Sequence, residues 1–200
     1  MRPAPALPAA LALALVAAPA QAQLGAVNPI SFGIAGGATV PLGDFADFVN
    51  TGFNVDGILT LRAPTLPVSF RAEVGYQRFA IKEGALGTDL PPGARLSGNA
   101  YAWQGVANLV YTFSTRTALV RPYLIGGVGY YRLGEEYKAS LGGQSQTMKP
   151  GATDKFGVNG GVGLELPLGG FTGFAEARFH RIFTANTDTD LLPLRFGVRF

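Results

Sequence analysis

The final eleven residues, Asp190–Phe200 (DLLPLRFGVRF), alternate in polarity almost without interruption and indicate the fold of the chain. One parity is apolar: Leu192, Leu194, Phe196, Val198 and Phe200. The other parity carries Pro193, Arg195, Gly197 and Arg199. Because successive side chains of a β-strand point to opposite faces, this pattern predicts a strand with one apolar face and one polar or small face.

The same alternation recurs in seven segments upstream. They span residues 30–40, 53–63, 68–77, 96–115, 121–131, 156–166 and 172–180. In residues 121–131 the facing stays open, because both parities are mostly apolar or glycine. Together these segments predict eight strands of about ten residues or more, which is the length of a tilted strand that crosses a bilayer.

The segment Leu96–Thr115 contains no charged residue and could also be interpreted as a membrane-spanning helix. One parity, however, carries aromatic residues at both ends, with Tyr101 and Trp103 at one end and Tyr111 and Phe113 at the other. Such sorting by height is typical of a strand that crosses two membrane interfaces. We therefore predict a strand here.

The connections between the predicted strands alternate in length. Residues 41–51, 81–98, 133–155 and 183–190 form longer links, and residues 64–67, 114–119 and 167–170 form short ones. Short turns on the inner side and longer loops on the outer side are expected of a closed outer-membrane barrel. The predicted fold is therefore an all-β, eight-stranded antiparallel up-and-down transmembrane β-barrel. A soluble ligand-holding barrel would instead turn its apolar parity inward.

Composition agrees with a single domain and excludes several other classes. Charged residues make up 14% of the 200 residues, with 16 basic against 13 acidic side chains and no basic run, which argues against a nucleic-acid partner. The absence of cysteine excludes a disulfide scaffold, a thiol nucleophile and cysteine-ligated metals. No motif for another cofactor or metal stands out, so we expect none.

Residues 1–22 have the composition of an export signal. A single charge, Arg2, precedes an apolar stretch, and Ala20-Gln21-Ala22 places small residues at the −3 and −1 positions of a cleavage site. We expect cleavage near Ala22 and a barrel domain over residues 23–200. A membrane anchor is the alternative, but four prolines interrupt the segment.

The chain resembles the small eight-stranded outer-membrane barrels of the opacity-protein and outer-membrane-protein-A transmembrane-domain type. The resemblance rests on residues 41–45 (PLGDF), 121–131 (RPYLIGGVGYY), 157–165 (GVNGGVGLE) and 195–200 (RFGVRF). It implies a monomer in the outer membrane of a Gram-negative-type bacterium. It also implies that the outer-membrane assembly machinery recognises Leu194, Phe196, Val198 and Phe200.

Charges of both signs lie on the inward parity of the predicted strands. They are Asp56, Arg62, Arg71, Glu73, Glu165, Glu176, Arg178, Arg195 and Arg199. In a narrow lumen these charges must pair. We expect a structural network that plugs the barrel; the alternative is a narrow gated conductance through it.

Three arginines continue the outward parity at the outer ends of strands: Arg78, Arg132 and Arg181. They could hold phosphates of outer-membrane lipid such as lipopolysaccharide, or they could simply extend to the interface. The single histidine, His180, has no serine nearby in sequence and is not expected to be catalytic. Asn186, Asp188 and Asp190 are interpreted as a solvated loop rather than a calcium site.

The sequence thus predicts a non-enzymatic outer-membrane barrel with a structural or surface-interaction role. A narrow porin-like channel for small or apolar solutes is the alternative. A lipid-modifying enzyme is a more distant one.

Overall fold

A computed structural model describes residues 29–63, 66–86, 95–113, 119–141, 144–185 and 187–200. The predicted signal segment lies outside these residues. The strands are β1 Ile30–Leu42, β2 Gly52–Arg62, β3 Val68–Ala80, β4 Arg95–Thr112, β5 Arg121–Leu141, β6 Gln144–Met148, β7 Thr153–Pro167, β8 Thr172–Ile182 and β9 Thr189–Arg199. Two short helical turns accompany them, α1 Phe45–Phe48 and a 3₁₀ turn Glu83–Ala85.

Eight of the strands close into an antiparallel barrel, which confirms the predicted fold class. Each of β1 to β5 pairs with its neighbour in sequence, β5 pairs with β7, and β7, β8 and β9 follow in order. The first and last strands complete the ring, with Ile34 opposite Val198. Because the barrel is closed, each spanning strand is hydrogen-bonded on both sides. This leaves no unpaired strand edge in the hydrocarbon core of a membrane, where such an edge would be costly.

The long outer link predicted over residues 133–155 contains strand structure of its own, which the sequence analysis did not predict. β5 continues to Leu141 and turns back into β6, which pairs with it from Tyr137 to Leu141. β4 accompanies this extension, since Arg95 lies opposite Ser140. The result is a three-stranded projection beyond the outer end of the barrel, which we call the outer hairpin (β5 from Leu133, β6 and the start of β4).

The outside of the barrel is apolar and is bounded by aromatic side chains at two heights. Near the outer end Tyr76 packs against Trp103, with ring centroids 4.8 Å apart. Near the inner end Tyr111 packs against Phe113 at 5.0 Å, and Phe171 lies 6.2 Å from Phe200. Between the two belts exposed aliphatic side chains such as Val74 and Leu109 form the band expected to face lipid.

This arrangement differs from a soluble barrel with an apolar interior, because most of the large apolar side chains are exposed on the outside of the barrel. Strand β4 is a strand throughout, as its aromatic sorting predicts. Within the described ranges no helix is long and apolar enough to cross a membrane.

Candidate functional site: the charged lumen

Charged side chains that alternation turns inward meet in the middle of the lumen. Glu73 on β3 and Glu176 on β8 face each other from opposite walls, and Arg178 and Arg195 lie between them. Arg178 donates from Nη1 and Nη2 to the two Glu73 oxygens, at 3.0 and 2.9 Å. It also donates from Nε to Glu176 at 2.9 Å. A single guanidinium therefore bridges two carboxylates.

Arg195 makes a second bridge from β9. Its Nη2 donates to Glu73 at 2.8 Å and to Glu176 at 2.6 Å, and its Nη1 lies 2.9 Å from Asp56. Arg71 completes the group with a 2.8 Å bond to Glu176. Arg71 and Arg178 are wholly buried and Arg195 is 2% exposed. The central cluster, Asp56, Arg71, Glu73, Glu176, Arg178 and Arg195, therefore contains three cations and three anions.

Neutral polar side chains that the sequence did not single out tie this cluster to the barrel wall. Tyr123 donates to Glu176 at 2.7 Å. Gln104 donates to Asp56 at 2.7 Å and in turn accepts a bond from Gln77 at 2.8 Å. Both glutamines lie on the inward parity, which is the signal that could have identified them. Tyr123 lies on β5, whose facing the sequence left open.

The remaining three predicted network residues lie near the inner end of the lumen. Arg199 donates to Glu165 at 2.7 Å, and Nη2 of Arg71 approaches the same carboxylate at 4.0 Å. Arg62 is half-buried and lies within 4.0 Å of no carboxylate in the described part of the chain. The structure thus brings six of the nine predicted charges together in the middle and places the other three below them.

An apolar layer covers the central cluster on its outer side. The buried members are Val49, Phe79, Ala100, Val106, Tyr131, Ile182 and Leu191, and Phe45 of α1 packs against them. We call this layer the outer cap. Above it lies an open cavity of about 490 Å³, lined by Phe79 and Leu191 below and by Glu135 and Lys155 at the rim. Along the lumen toward the outer end, the charged central cluster is therefore followed by an apolar layer.

His180 lies between the outer cap and the charges. It is 1% exposed, and its Nδ1 shares a 2.8 Å hydrogen bond with the Tyr131 hydroxyl. Its Nε2 makes no hydrogen bond to any part of the chain that the structure describes. A side chain enclosed in this way is out of reach of a lipid substrate on the outer surface.

The three predicted rim arginines differ in their surroundings. Arg181 donates both Nε and Nη2 to Asp190, at 2.9 and 2.7 Å, so its fork is already occupied. Arg132 lies 3.9 Å from Asp154 and remains largely exposed. Arg78 is half-buried at the level of Phe53 and Tyr101.

Arg181 also partly neutralises the acidic loop that was considered for calcium. Asp190 pairs with Arg181, and Asp188 lies 4.0 Å from it. Asn186 lies outside the described residues. Over the ranges that the structure describes, no group of three or more histidine, aspartate or glutamate side chains is placed to hold a metal ion.

The four predicted assembly residues all point away from the lumen. Phe196 and Phe200 are 71% and 68% exposed, Leu194 is 41% exposed and Val198 is half-buried. The backbone of Phe200 exchanges two hydrogen bonds with Phe32, at 2.7 and 3.1 Å. The last residue therefore takes part in the seam between β1 and β9.

A closed barrel with an apolar exterior, two aromatic belts and charged side chains turned into its lumen defines a small integral membrane protein of the β-barrel class. The model of one family, described as the outer membrane protein beta-barrel domain, matches residues 9–200, and the chain belongs to that family. It is accordingly an outer-membrane protein of bacterial type.

Two solved structures share the fold at low sequence identity. Neisserial surface protein A is 19% identical over 86% of this chain and 96% of its own, with a TM-score of 0.50. A major outer membrane protein from Thermus thermophilus is 18% identical over 86% of this chain and 99% of its own, with a TM-score of 0.56. The comparison with curated proteins found no match.

Proposed function

We propose that this protein is a non-enzymatic, monomeric outer-membrane barrel whose central charge cluster closes the lumen and whose outer loops carry a surface-interaction role. The observation that carries the closed lumen is the double bridge of Arg178 and Arg195 between Glu73 and Glu176. With eight strands, the interior is just wide enough for side chains to fill it. A permeating solute would have to separate ion pairs that are buried away from bulk solvent, which is costly.

The test is conductance of the purified full-length barrel in planar bilayers. Wild type should stay closed at all applied potentials, and Glu136→Ala on the outer hairpin should behave in the same way. Glu73→Ala, which removes one half of the double bridge, should give brief openings if the cluster is the barrier. Sustained single-channel openings of wild type would overturn the closed lumen and favour the narrow channel for small or apolar solutes.

The outer hairpin supports the surface role, because it extends beyond the level of the aromatic belt. Its strand β6 is exposed at all five residues, and Lys149 pairs with Glu136 at 2.9 Å to hold the returning chain. Replacing residues 138–147 by an Asn-Gly turn, which keeps Tyr137 opposite Met148, should preserve heat-modifiable gel mobility and abolish cell-surface interactions such as cell–cell aggregation. Unchanged aggregation in a correctly folded variant would remove the hairpin from the proposal.

The rim arginines support contact with lipopolysaccharide phosphates. Arg78 is the strongest candidate because it forms no salt bridge within the described residues, whereas Arg132 and Arg181 each form one. The triple variant of Arg78, Arg132 and Arg181 to alanine should co-purify with less lipopolysaccharide, and Arg78→Ala alone should account for most of the loss. Arg95→Ala, higher on β4, is the matched control. Equal retention by the triple variant and wild type would defeat this contact.

For the assembly machinery, we propose that it reads the outward face of β9 that ends in Phe200. Leu194, Phe196 and Phe200 are exposed on the outside of the barrel, and Val198 is half-exposed there. They are therefore available to a partner before the strand pairs with β1.

A further inference from the structure

The inner mouth of the lumen is rich in positive charge. Arg62 of β2, Arg121 of β5 and Arg199 of β9 line a cavity of about 410 Å³ there, and among the described residues Glu165 is the one carboxylate that lines it. All three arginines stand on the inward parity of their strands. This group, which we call the inner arginine ring, is separate from the central cluster, where charges balance.

Glu165 neutralises only part of the charge of the ring, because it is one carboxylate that Arg199 and Arg71 share. It accepts a 2.7 Å bond from Nη2 of Arg199, and Nη2 of Arg71 lies 4.0 Å behind it. Arg62 and Arg121 form no salt bridge within the described residues. Arg199 is 3% exposed, and its Nε makes no hydrogen bond there either. A buried guanidinium with an unused donor therefore borders a cavity that two further cations enter.

The other polar groups of the cavity are hydrogen-bond donors as well. Ser69, Thr112 and Thr172 lie on the inward parity of β3, β4 and β8 and line the same cavity. The segments that join the inner strand ends, residues 63–67, 113–120 and 168–171, contain no aspartate or glutamate. The sequence therefore supplies no further carboxylate in these segments to compensate the arginines.

We propose that the inner arginine ring binds a phosphate group. Guanidinium forks suit the tetrahedral oxyanion and can bind it bidentately, and the hydroxyls can supply additional donors. The excess charge of three arginines over one glutamate is sufficient to offset the charge of about −1.5 to −2 that a phosphate monoester carries at neutral pH, and also the smaller charge of a phosphodiester headgroup. The phosphate has two sources at this height: a soluble periplasmic phosphate compound, or the headgroup of an anionic phospholipid in the inner leaflet.

The first arm of the test uses inorganic phosphate and the full chain, folded in micelles of an uncharged detergent. Calorimetric titration of wild type should saturate at one phosphate per barrel. Arg62→Gln and Arg121→Gln should each weaken binding by about tenfold, the effect of losing one charge-assisted hydrogen-bond donor. Arg95→Gln changes net charge equally at the outer end and should leave the affinity unchanged.

The second arm uses nanodiscs that contain phosphatidylglycerol and phosphatidylcholine with the same acyl chains. Selective retention of phosphatidylglycerol that Arg62→Gln and Arg121→Gln abolish identifies the lipid headgroup as the source. Saturable inorganic phosphate binding without lipid selectivity identifies a soluble compound.

Two outcomes would overturn the site. One is the absence of binding in both arms, and the other is equal weakening by Arg95→Gln and the two inner variants. Heat-modifiable mobility shows that each variant is folded, and Glu165→Gln provides an independent check. Removing that carboxylate should strengthen phosphate binding, so a loss of binding in folded Glu165→Gln also contradicts the site. The inference goes beyond the proposed function and does not depend on whether the lumen conducts.

Discussion

Glu73→Gln should be among the most destabilising substitutions of similar size in the barrel. The carboxylate accepts two bonds from Arg178 and two from the Nη2 of Arg195, all between 2.8 and 3.0 Å. The amide keeps the shape but removes the charge, which leaves three buried arginines against Glu176 and Asp56. Removing one partner of a buried ion pair costs about 3–5 kcal/mol. We expect a loss of that size in the free energy of unfolding.

The measurement is urea-dependent unfolding of the barrel in lipid vesicles, followed by fluorescence of the single tryptophan. Trp103 is suited to this because it lies half-exposed on the lipid face, away from the substitution. Glu136→Gln, which loses an ion pair on the solvent-exposed outer hairpin, should unfold like wild type. The double variant Glu73→Gln with Arg178→Gln should recover part of the loss, because it removes one uncompensated cation. A change of less than about 0.5 kcal/mol in Glu73→Gln would refute this account of the cluster, since that is the range of neutral surface substitutions.

Three further predictions concern packing, pH and assembly. Gly163→Ala places a methyl group into the ring of Tyr123, so it should displace that ring and its bond to the central cluster and destabilise the barrel by about 1–3 kcal/mol in the same urea assay. The bond from Lys149 lowers the pKa of Glu136 below its ordinary 4.5. The ion pair therefore stabilises the outer hairpin above pH 4.5, and this stabilisation is lost as the pH falls through the lowered pKa of Glu136. Protection of the β6 amides from hydrogen exchange should fall over the same pH range. Phe200→Ser should reduce assembly in cells more than folding in detergent, measured as the heat-modifiable fraction in each case.

Each of these predictions has a matched control. Gly105→Ala adds the same methyl group where nothing lies within 4 Å and should be neutral. Lys149→Met should remove the extra acid resistance of the outer hairpin. Phe156→Ala, a lipid-facing aromatic 70% exposed near the outer end, should leave assembly in cells intact. Equal effects of a variant and its control would contradict the reasoning in each case.

The barrel could be predicted from sequence because two environments alternate along each spanning strand. Where lipid lies on one side and packed side chains on the other, the pattern has period two, as in residues 190–200. The outer hairpin could not be recognised in this way. Glu135, Glu136 and Lys138 stand in a strand with water around it, so alternation of polarity disappears although pairing continues.

The lumen was predicted in outline, since parity and charge identify which side chains point inward but not which of them meet. Tyr123 and Tyr131 show the limit most clearly. Each has an apolar ring that would suit lipid, yet each is buried and directs its hydroxyl to a polar partner, Glu176 and His180 respectively. Whether such a tyrosine faces lipid or the lumen depends on the contacts that other strands provide. The sequence of its own strand contains no information on those contacts.

The pairing across the lumen links closure of the barrel to neutralisation of its charges. Glu73 and Asp56 belong to β3 and β2, whereas Glu176, Arg178 and Arg195 belong to β8 and β9, more than one hundred residues later. Until β9 pairs with β1, Arg178 and Arg195 cannot form their ion pairs with Glu73. Both the unpaired backbone groups of the two edge strands and the uncompensated charges then oppose insertion into the membrane. Removing Glu73 should therefore slow closure as well as destabilise the closed barrel. A variant that closes at the wild-type rate in vesicles yet unfolds more easily would show that the cluster forms only after the seam.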